Sequence, residues 1–325
     1  MKKIIALLLV MCLVSAFCVT ASAAKTYELK LSTTQTDTSM IYAGMQAAAD
    51  KIAADTDGKV IVKIYPSSQL GAEEDMIDQA LQGMNIAVLT DAGRLSSYVH
   101  DMGILNMAYF VNTYDDGCAV MATDTFKGWD EALAAEGLRG LCYNYYDGAR
   151  SFCGHEAWTT PEALKGVVIR TPGAAPYSKS IEALGATPYN IGWGEVYNGI
   201  QTKAIDGCEA QFTSLVSSKI YEVCEFCSKT EHINLFNMVV CGEKWFSELP
   251  EEYQEIVKND FYECAYQSAK DVEAAQEDMA KTLTENGMEI VEVDREAFEK
   301  AADQAYEELG WTELREQLYV EAGLK

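Results

Sequence analysis

Apolar and polar positions alternate along Tyr27-Glu-Leu-Lys-Leu31, which predicts a first strand. From Ser39 to Thr56 the apolar residues Met40, Ile41, Ala43, Met45, Ala48, Ile52 and Ala53 recur at helical spacing, with Ser39 placed to cap the helix. Asp57-Gly58 breaks that helix, and Lys59 to Tyr65 alternates again as a second strand. Pro66 ends it, a helix is predicted from about Glu73 to Gln82, and Ile86 to Leu89 reads as a short apolar strand. A β-α-β-α-β order of this kind predicts a parallel sheet covered by helices, with ligands bound beyond the carboxyl ends of its strands.

A second unit of the same style begins near Gly140. Leu141-Cys-Tyr-Asn-Tyr145 and Val167 to Arg170 are strand candidates, and Pro176 to Leu184 and Val196 to Thr202 are helix candidates. After Glu248-Leu-Pro250 a long helix is predicted from roughly Glu251 to Glu285. Ile290 to Val293 reads as a late strand, and Glu296 to Leu318 as a further acidic helix. No repeat, low-complexity tract or loose linker interrupts the chain. The pattern therefore predicts an α/β protein of two hinged units with a cleft between them.

The amino terminus changes where this fold is expected to work. Met1-Lys2-Lys3, an apolar run from Ile4 to Val19 and small residues Thr20-Ala-Ser-Ala23 make a secretory signal peptide, over residues 1–23, with cleavage after Ala23 or Ala24. As a membrane anchor the run is short and lacks a positive stop. A lipid anchor needs a small residue before a cysteine, whereas Phe17 precedes Cys18 and Met11 precedes Cys12. The formal net charge of −25 disfavours nucleic acid and anionic membranes as partners. It does not disfavour an anionic small ligand, whose surroundings are set by a few placed arginines. Ten cysteines are present, eight of them beyond the signal segment. Their irregular spacing matches no small disulfide framework, and both free thiols and disulfides stay open.

Little in the chain suggests catalysis. Only His100, His155 and His232 are available, and there is no G-x-S-x-G elbow, phosphate-binding loop or G-x-G-x-x-G turn. Asp206 and Glu209 form an acidic pair of a kind common among fifty carboxylates. Cys224-Glu-Phe-Cys227 falls too late in the chain for a thioredoxin-like redox motif and lacks a second cysteine pair nearby for zinc, so it reads as packing or an incidental disulfide. The arginines are more informative. Arg150 follows the strand around Tyr143, and Arg170 ends the apolar run Gly166-Val-Val-Ile169. An arginine at the carboxyl end of a buried strand points toward the cleft, where its planar fork suits a carboxylate. The competing reading is a structural ion pair, with Glu209 or Asp91 as partner.

Leu164-Lys-Gly-Val-Val-Ile-Arg-Thr-Pro172 resembles the signature of the substrate-binding subunits of TRAP transporters, the tripartite ATP-independent periplasmic importers. So do Leu184-Gly-Ala-Thr-Pro188, Trp193-Gly-Glu-Val-Tyr197 and Ile200-Gln-Thr-Lys-Ala-Ile-Asp-Gly207. Tyr65-Pro-Ser-Ser-Gln-Leu-Gly71 upstream, and Lys219-Ile-Tyr-Glu-Val223, Thr230-Glu-His232 and Trp245 to Pro250 downstream, continue the resemblance in order across nearly the whole chain.

The resemblance implies the two-lobed periplasmic-binding-protein fold with a hinged cleft and a long helix bridging the lobes. The lobes are expected at 24–147 with 236–275, and at 148–235 with 276–325. It implies a monomer that binds an organic acid without cofactor or metal and delivers it to a membrane permease pair; the rival readings are a secreted binding protein serving a sensor kinase and, more remotely, a secreted hydrolase or lyase. By position, Arg170 matches the carboxylate anchor, Arg150 a second ligand contact and Trp193 an aromatic residue packed on the ligand. Glu73 and Asp91 match polar pocket residues, with Thr34 or Gln35 as a weaker contact from the first lobe. Trp193 as core and Glu73 as a helix-end charge are the competing readings. One departure stands out: many sugar-acid binders read D-G-Q-E-N-P where this chain reads Asp206-Gly-Cys-Glu-Ala-Gln211. Ala210 cannot supply the asparagine's hydrogen bond, so that contact is lost or moved to Gln211. A smaller or more apolar carboxylate is the expectation that follows.

Overall fold

Strand alternation in the first segment produces the expected parallel unit. The computed structural model describes residues 25–325, so the signal segment expected over residues 1–23 lies outside the described residues. Strands β1 (Tyr27–Ser32), β2 (Val60–Tyr65) and β3 (Ile86–Asp91) lie parallel in the order β2-β1-β3. They are joined by helices α1 (Met40–Asp55) and α2 (Glu73–Leu81). The Ser39 hydroxyl caps α1 by accepting from the Tyr42 backbone N–H at 3.1 Å. The helix buries Ile41, Met45, Ala48, Ala49 and Ile52 in the first lobe's core.

Helices α3 (Ala92–Leu95), α4 (Tyr114–Met121) and α5 (Asp124–Ala135) follow. Helix α4 opens on a capping box, the Thr113 hydroxyl and the Asp116 carboxylate each accepting from the other's backbone N–H. Strand β4 (Leu138–Gly154) is 17 residues long, where only Leu141 to Tyr145 was expected. The second lobe then adds β5 (Val168–Thr171), α6 (Ala175–Ala183), β6 (Thr187–Asn190), α7 (Val196–Gln201), β7 (Gly207–Ala210) and α8 (Phe212–Ser217). Strand β8 (Phe226–Gly242), also 17 residues, runs antiparallel to β4.

All strands join one sheet in the order β2-β1-β3-β8-β4-β7-β5-β6, with β9 (Glu289–Val291) beside β8. At about 3.3 Å per residue a 17-residue strand is roughly 55 Å long, more than one small lobe requires. The same two strands therefore serve both lobes and cross between them. Their register shifts at four places between Gly140 and Phe152, one of them between Tyr146 and Ala149, where Gly148 has φ +98°. Such bulges bend and twist a strand pair, which puts a bent crossing where the lobes meet.

Helices α9 (Glu243–Ser247), α10 (Glu251–Ala274), α11 (Gln276–Glu285), α12 (Arg295–Leu309) and α13 (Thr312–Glu321) complete the chain. The single helix expected from Glu251 to Glu285 is interrupted at Ala275, which ends α10 and begins α11. Helix α10 packs on α1 and β4, while α11 packs on α8 and β9, so the pair bridges the lobes. The helix expected from Glu296 to Leu318 breaks at Gly310, whose φ of +73° is a left-handed cap that glycine adopts at little cost. That break redirects the chain: α12 packs on α6, whereas α13 packs on α4, and the Tyr319 hydroxyl donates to the Phe110 carbonyl at 2.6 Å. Within the stretch 276–325 expected with the second lobe, α13 thus contributes Leu318 to the first lobe's core.

Candidate functional site

The carboxyl ends of β1, β3, β5 and β7 converge on one cleft, whose empty space is about 620 Å³ with its open mouth included. Thr34, Gln35, Glu73, Asp91 and Arg94 line it from the first lobe, and Arg150, Arg170, Trp193, Gln211 and Ser214 from the second. Asp147 and Asn237, on the crossing strands, lie between them. All seven residues singled out from the sequence, Arg170, Arg150, Trp193, Glu73, Asp91, Gln211 and Thr34, line this cleft. Its apolar lining is limited to a few residues such as Leu89, Pro172 and Leu235. Such walls would leave polar groups unpaired around an apolar acid, so the expected preference for a more apolar cargo does not match them.

The two arginines of the second lobe differ in their partners. Arg150 is 5% exposed and Glu209 is 0% exposed. The Arg150 Nε and Nη2 both donate to the Glu209 carboxylate, Nη2 to Oε1 at 2.8 Å, and Nη2 also donates to the Glu209 carbonyl at 2.7 Å. The Thr171 hydroxyl adds a donor to Oε1 at 2.8 Å. This is the structural ion pair that the competing reading named for one of these arginines. It is buried, bidentate and fully hydrogen-bonded, the geometry in which such a pair holds its shape. His232 stacks on Phe152 with ring centroids 4.5 Å apart. Burial and the nearby Arg150 charge push its pKa well below the usual histidine range, so it is neutral.

Arg170 has no such partner. It is 2% exposed, its Nε donates to the Ile191 carbonyl at 3.0 Å, and its guanidinium lies 5.3 Å from the centroid of the Trp193 ring. Among the described residues no carboxylate forms an ion pair with it. Burial, with the charges of Arg150 and Arg94 acting the same way, lowers its pKa to about 10. The group stays charged at neutral pH, and its remaining N–H donors face the cleft without an anion. Trp193 is partly buried, and its Nε1 donates to the Ser218 hydroxyl at 3.0 Å, which fixes the indole against Arg170.

Across the cleft a third arginine, Arg94, was not singled out from the sequence. It occupies the same kind of position, just beyond the end of β3, so the strand-end signal that marked Arg170 was available for it too. Its Nη1 donates to Asp91 Oδ2 at 2.5 Å and its Nε to Glu74 Oε1 at 2.9 Å. Glu73 Oε1 lies 3.5 Å from Arg94 Nε, but no hydrogen bond joins them. Burial outweighs the attraction of Arg94 and raises the Glu73 pKa to about 7. Asp91 also caps α3 by accepting from the Arg94 backbone N–H at 3.0 Å. Glu73 starts α2, as the helix-end reading has it, and also faces the cleft.

Gln211 bridges the crossing strands to the second lobe. Its Nε2 donates to Asp147 Oδ2, its Oε1 accepts from Arg150 Nη1 at 3.3 Å, and Gln35 Nε2 also donates to Asp147 Oδ2 at 2.9 Å. Asp147 Oδ1, Glu73 Oε1 and Asn237 Nδ2 are buried and have no hydrogen-bond partner among the described residues. Ala210, where the sugar-acid binders carry asparagine, is buried in β7 and does not line the cleft.

The family model of bacterial extracellular solute-binding proteins, family 7, matches residues 31–311. The chain belongs to this family. Among curated relatives of this solute-binding protein, the 2,3-diketo-L-gulonate-binding periplasmic protein of Escherichia coli is 28% identical over 291 residues, covering 88% of this chain and 87% of its own. Two solved TRAP periplasmic solute-binding proteins align with a TM-score of 0.88. One, from Actinobacillus succinogenes 130Z with bound L-galactonate, is 26% identical and covers 92% of this chain and 100% of its own. The other, from Ochrobacterium anthropi with bound L-fuconate, is 28% identical and covers 91% and 99%. The two-lobed architecture expected from the sequence is thus that of the family.

Proposed function

We propose that this solute-binding protein is exported, captures a small hydroxylated organic acid in the cleft, and delivers it as a monomer to a TRAP-type permease without acting as an enzyme. One observation carries the reading: Arg170 is a buried guanidinium whose free donors face the cleft and which no carboxylate among the described residues pairs with. A charge held in that way is stabilised when a ligand supplies the anion. The acids bound by the E. coli, A. succinogenes and O. anthropi relatives are of matching chemistry.

The rest of the cleft suits hydroxyl groups. Asp147 Oδ1 and Glu73 Oε1 offer acceptors, and Asn237 Nδ2 offers a donor, all unpartnered among the described residues. A hydroxylated acid fills these roles, whereas an aliphatic acid leaves them unpaired at a cost of about 1–3 kcal/mol each. Micromolar affinity requires about 8 kcal/mol net. Two charged hydrogen bonds to Arg170, at about 1.5–3 kcal/mol each, supply part of that, so contacts from the first lobe are also needed. Ligand touching both lobes favours the closed form, and the bulged crossing of β4 and β8 is where the motion is absorbed.

A thermal-shift screen of the purified protein against linear hydroxy acids, unsubstituted aliphatic acids and neutral polyols tests the reading, with calorimetry on the positives. Hydroxy acids are expected to raise the melting temperature most. A screen in which only neutral polyols or only aliphatic acids stabilise the protein overturns it.

A further inference from the structure

Three cysteines of the second lobe stand abreast. Cys153 of β4 is in register with Cys208 of β7 on one side and with Cys227 of β8 on the other. Residues directly opposite on neighbouring strands project to the same face of a sheet, so these thiols share one face. Cys224, just before β8, completes the group. Hydrogen bonding couples the Cys153 thiol to Cys227 and the Cys224 thiol to Cys208. All four are at most 2% exposed and sit in one apolar cluster with Val196, Ile200, Leu215 and Leu283. Each is a free thiol in the structure.

Four clustered thiols suggest zinc, but the arrangement argues against it. A structural zinc ion needs its ligands around a point, whereas three of these lie in a row on strands about 4.8 Å apart. No group of ligands arranged for a metal is found among the described residues. Cross-strand neighbours come near disulfide geometry: directly opposite side chains have Cβ atoms about 4.5–5.5 Å apart and a disulfide requires about 3.5–4.5 Å, so a small local approach of the strands closes the pair.

We propose that Cys153 with Cys227, and Cys208 with Cys224, are two disulfide-forming pairs that close when the second lobe folds in an oxidising compartment. In each closure a thiolate attacks the disulfide of a thiol–disulfide oxidoreductase or of glutathione disulfide. The partner thiol then displaces the oxidant. One S–S bond forms, the oxidant leaves as two thiols, and it carries away the pair's two electrons and two protons. Burial raises the Cys153 thiol, and the hydrogen bond with Cys208 together with burial raises the Cys224 thiol, far above the ordinary range, which disfavours the reactive thiolate in the folded lobe, where both are shielded from an oxidant. The oxidation state is therefore set during folding and retained afterwards. The Cys153–Cys227 link ties β4 to β8 at their second-lobe ends, so its effect falls on the stability of that lobe.

The test uses the purified full chain, unfolded under reducing conditions and refolded either with glutathione disulfide or with dithiothreitol. Remaining thiols are alkylated in denaturant, and the non-reduced digest is mapped by mass spectrometry. The oxidised protein is expected to yield linked Cys153–Cys227 and Cys208–Cys224 peptides and to melt about 5 °C or more above the reduced form. Dithiothreitol in denaturant should abolish both differences. In Cys227→Ala the Cys208–Cys224 link is expected to persist while Cys153 is alkylated. Four alkylated cluster thiols after oxidative refolding, links dominated by other pairs, transfer of Cys153 to Cys208 in the variant, or one zinc per protein bound tightly by the cluster each overturn the proposal.

Discussion

The Arg170 guanidinium lies 5.3 Å from the Trp193 ring centroid, with the indole against its face. Trp193 is itself held by its bond to Ser218 at 3.0 Å. The guanidinium is therefore oriented by an aromatic ring and the Ile191 carbonyl, and in the function proposed above its charge is left for a ligand.

Arg170→Lys is expected to weaken binding of the cognate acid about 100-fold, because a point charge does not replace two parallel N–H bonds. Arg170→Met should abolish binding yet stabilise the ligand-free protein by about 1–3 kcal/mol, since it removes a buried unpaired charge. Calorimetry and urea denaturation read the two effects. Unchanged affinity in Arg170→Lys would remove the anchor role.

Glu209→Ala has the opposite character. It strands Arg150, which is 5% exposed, without its anion. A loss of about 3–5 kcal/mol in unfolding free energy is expected. A loss below about 1 kcal/mol in urea denaturation would mean that the pair contributes little.

Trp193→Ala should weaken binding about tenfold by freeing the guanidinium, with a smaller loss for Trp193→Phe, which keeps a ring beneath the charge. Equal affinities for the wild type and Trp193→Ala would show that the ring only packs.

Glu73 links stability to pH. Its pKa is raised by burial from 4.5 to about 7 in the folded protein. A raised folded value contributes stability that is fully present below pH 4.5 and lost as pH rises through about 7. The contribution amounts to about 3 kcal/mol. The ligand-free Glu73→Gln protein should therefore lose less stability than wild type between those limits and be more stable at pH 8. Identical pH profiles of the two proteins in urea denaturation would contradict this account.

Legibility in the sequence followed local pattern. Strands β1 and β2 alternate because one face of each meets the core, and α1 carries both its apolar stripe and its Ser39 cap. Strand β8 was missed because it is buried on both faces: Ile233, Leu235, Phe236, Met238, Val239, Val240 and Cys241 form a nearly continuous apolar run around two asparagines. The breaks at Ala275 and Gly310 were missed because helical periodicity continues across them.

By itself the sequence determined that this is a two-unit α/β chain of the solute-binding family with an arginine at the end of β5, because strand and helix periods and ordered motifs are local properties. Only the tertiary structure decided which arginine is free. Arg150 and Arg170 look alike along the chain, and Glu209 is distant from both in sequence. Packing brings its carboxylate onto Arg150 and leaves Arg170 without one. Charge pairing depends on separation in space, and at a few ångströms in a buried site that separation determines whether a guanidinium is structural or available to bind.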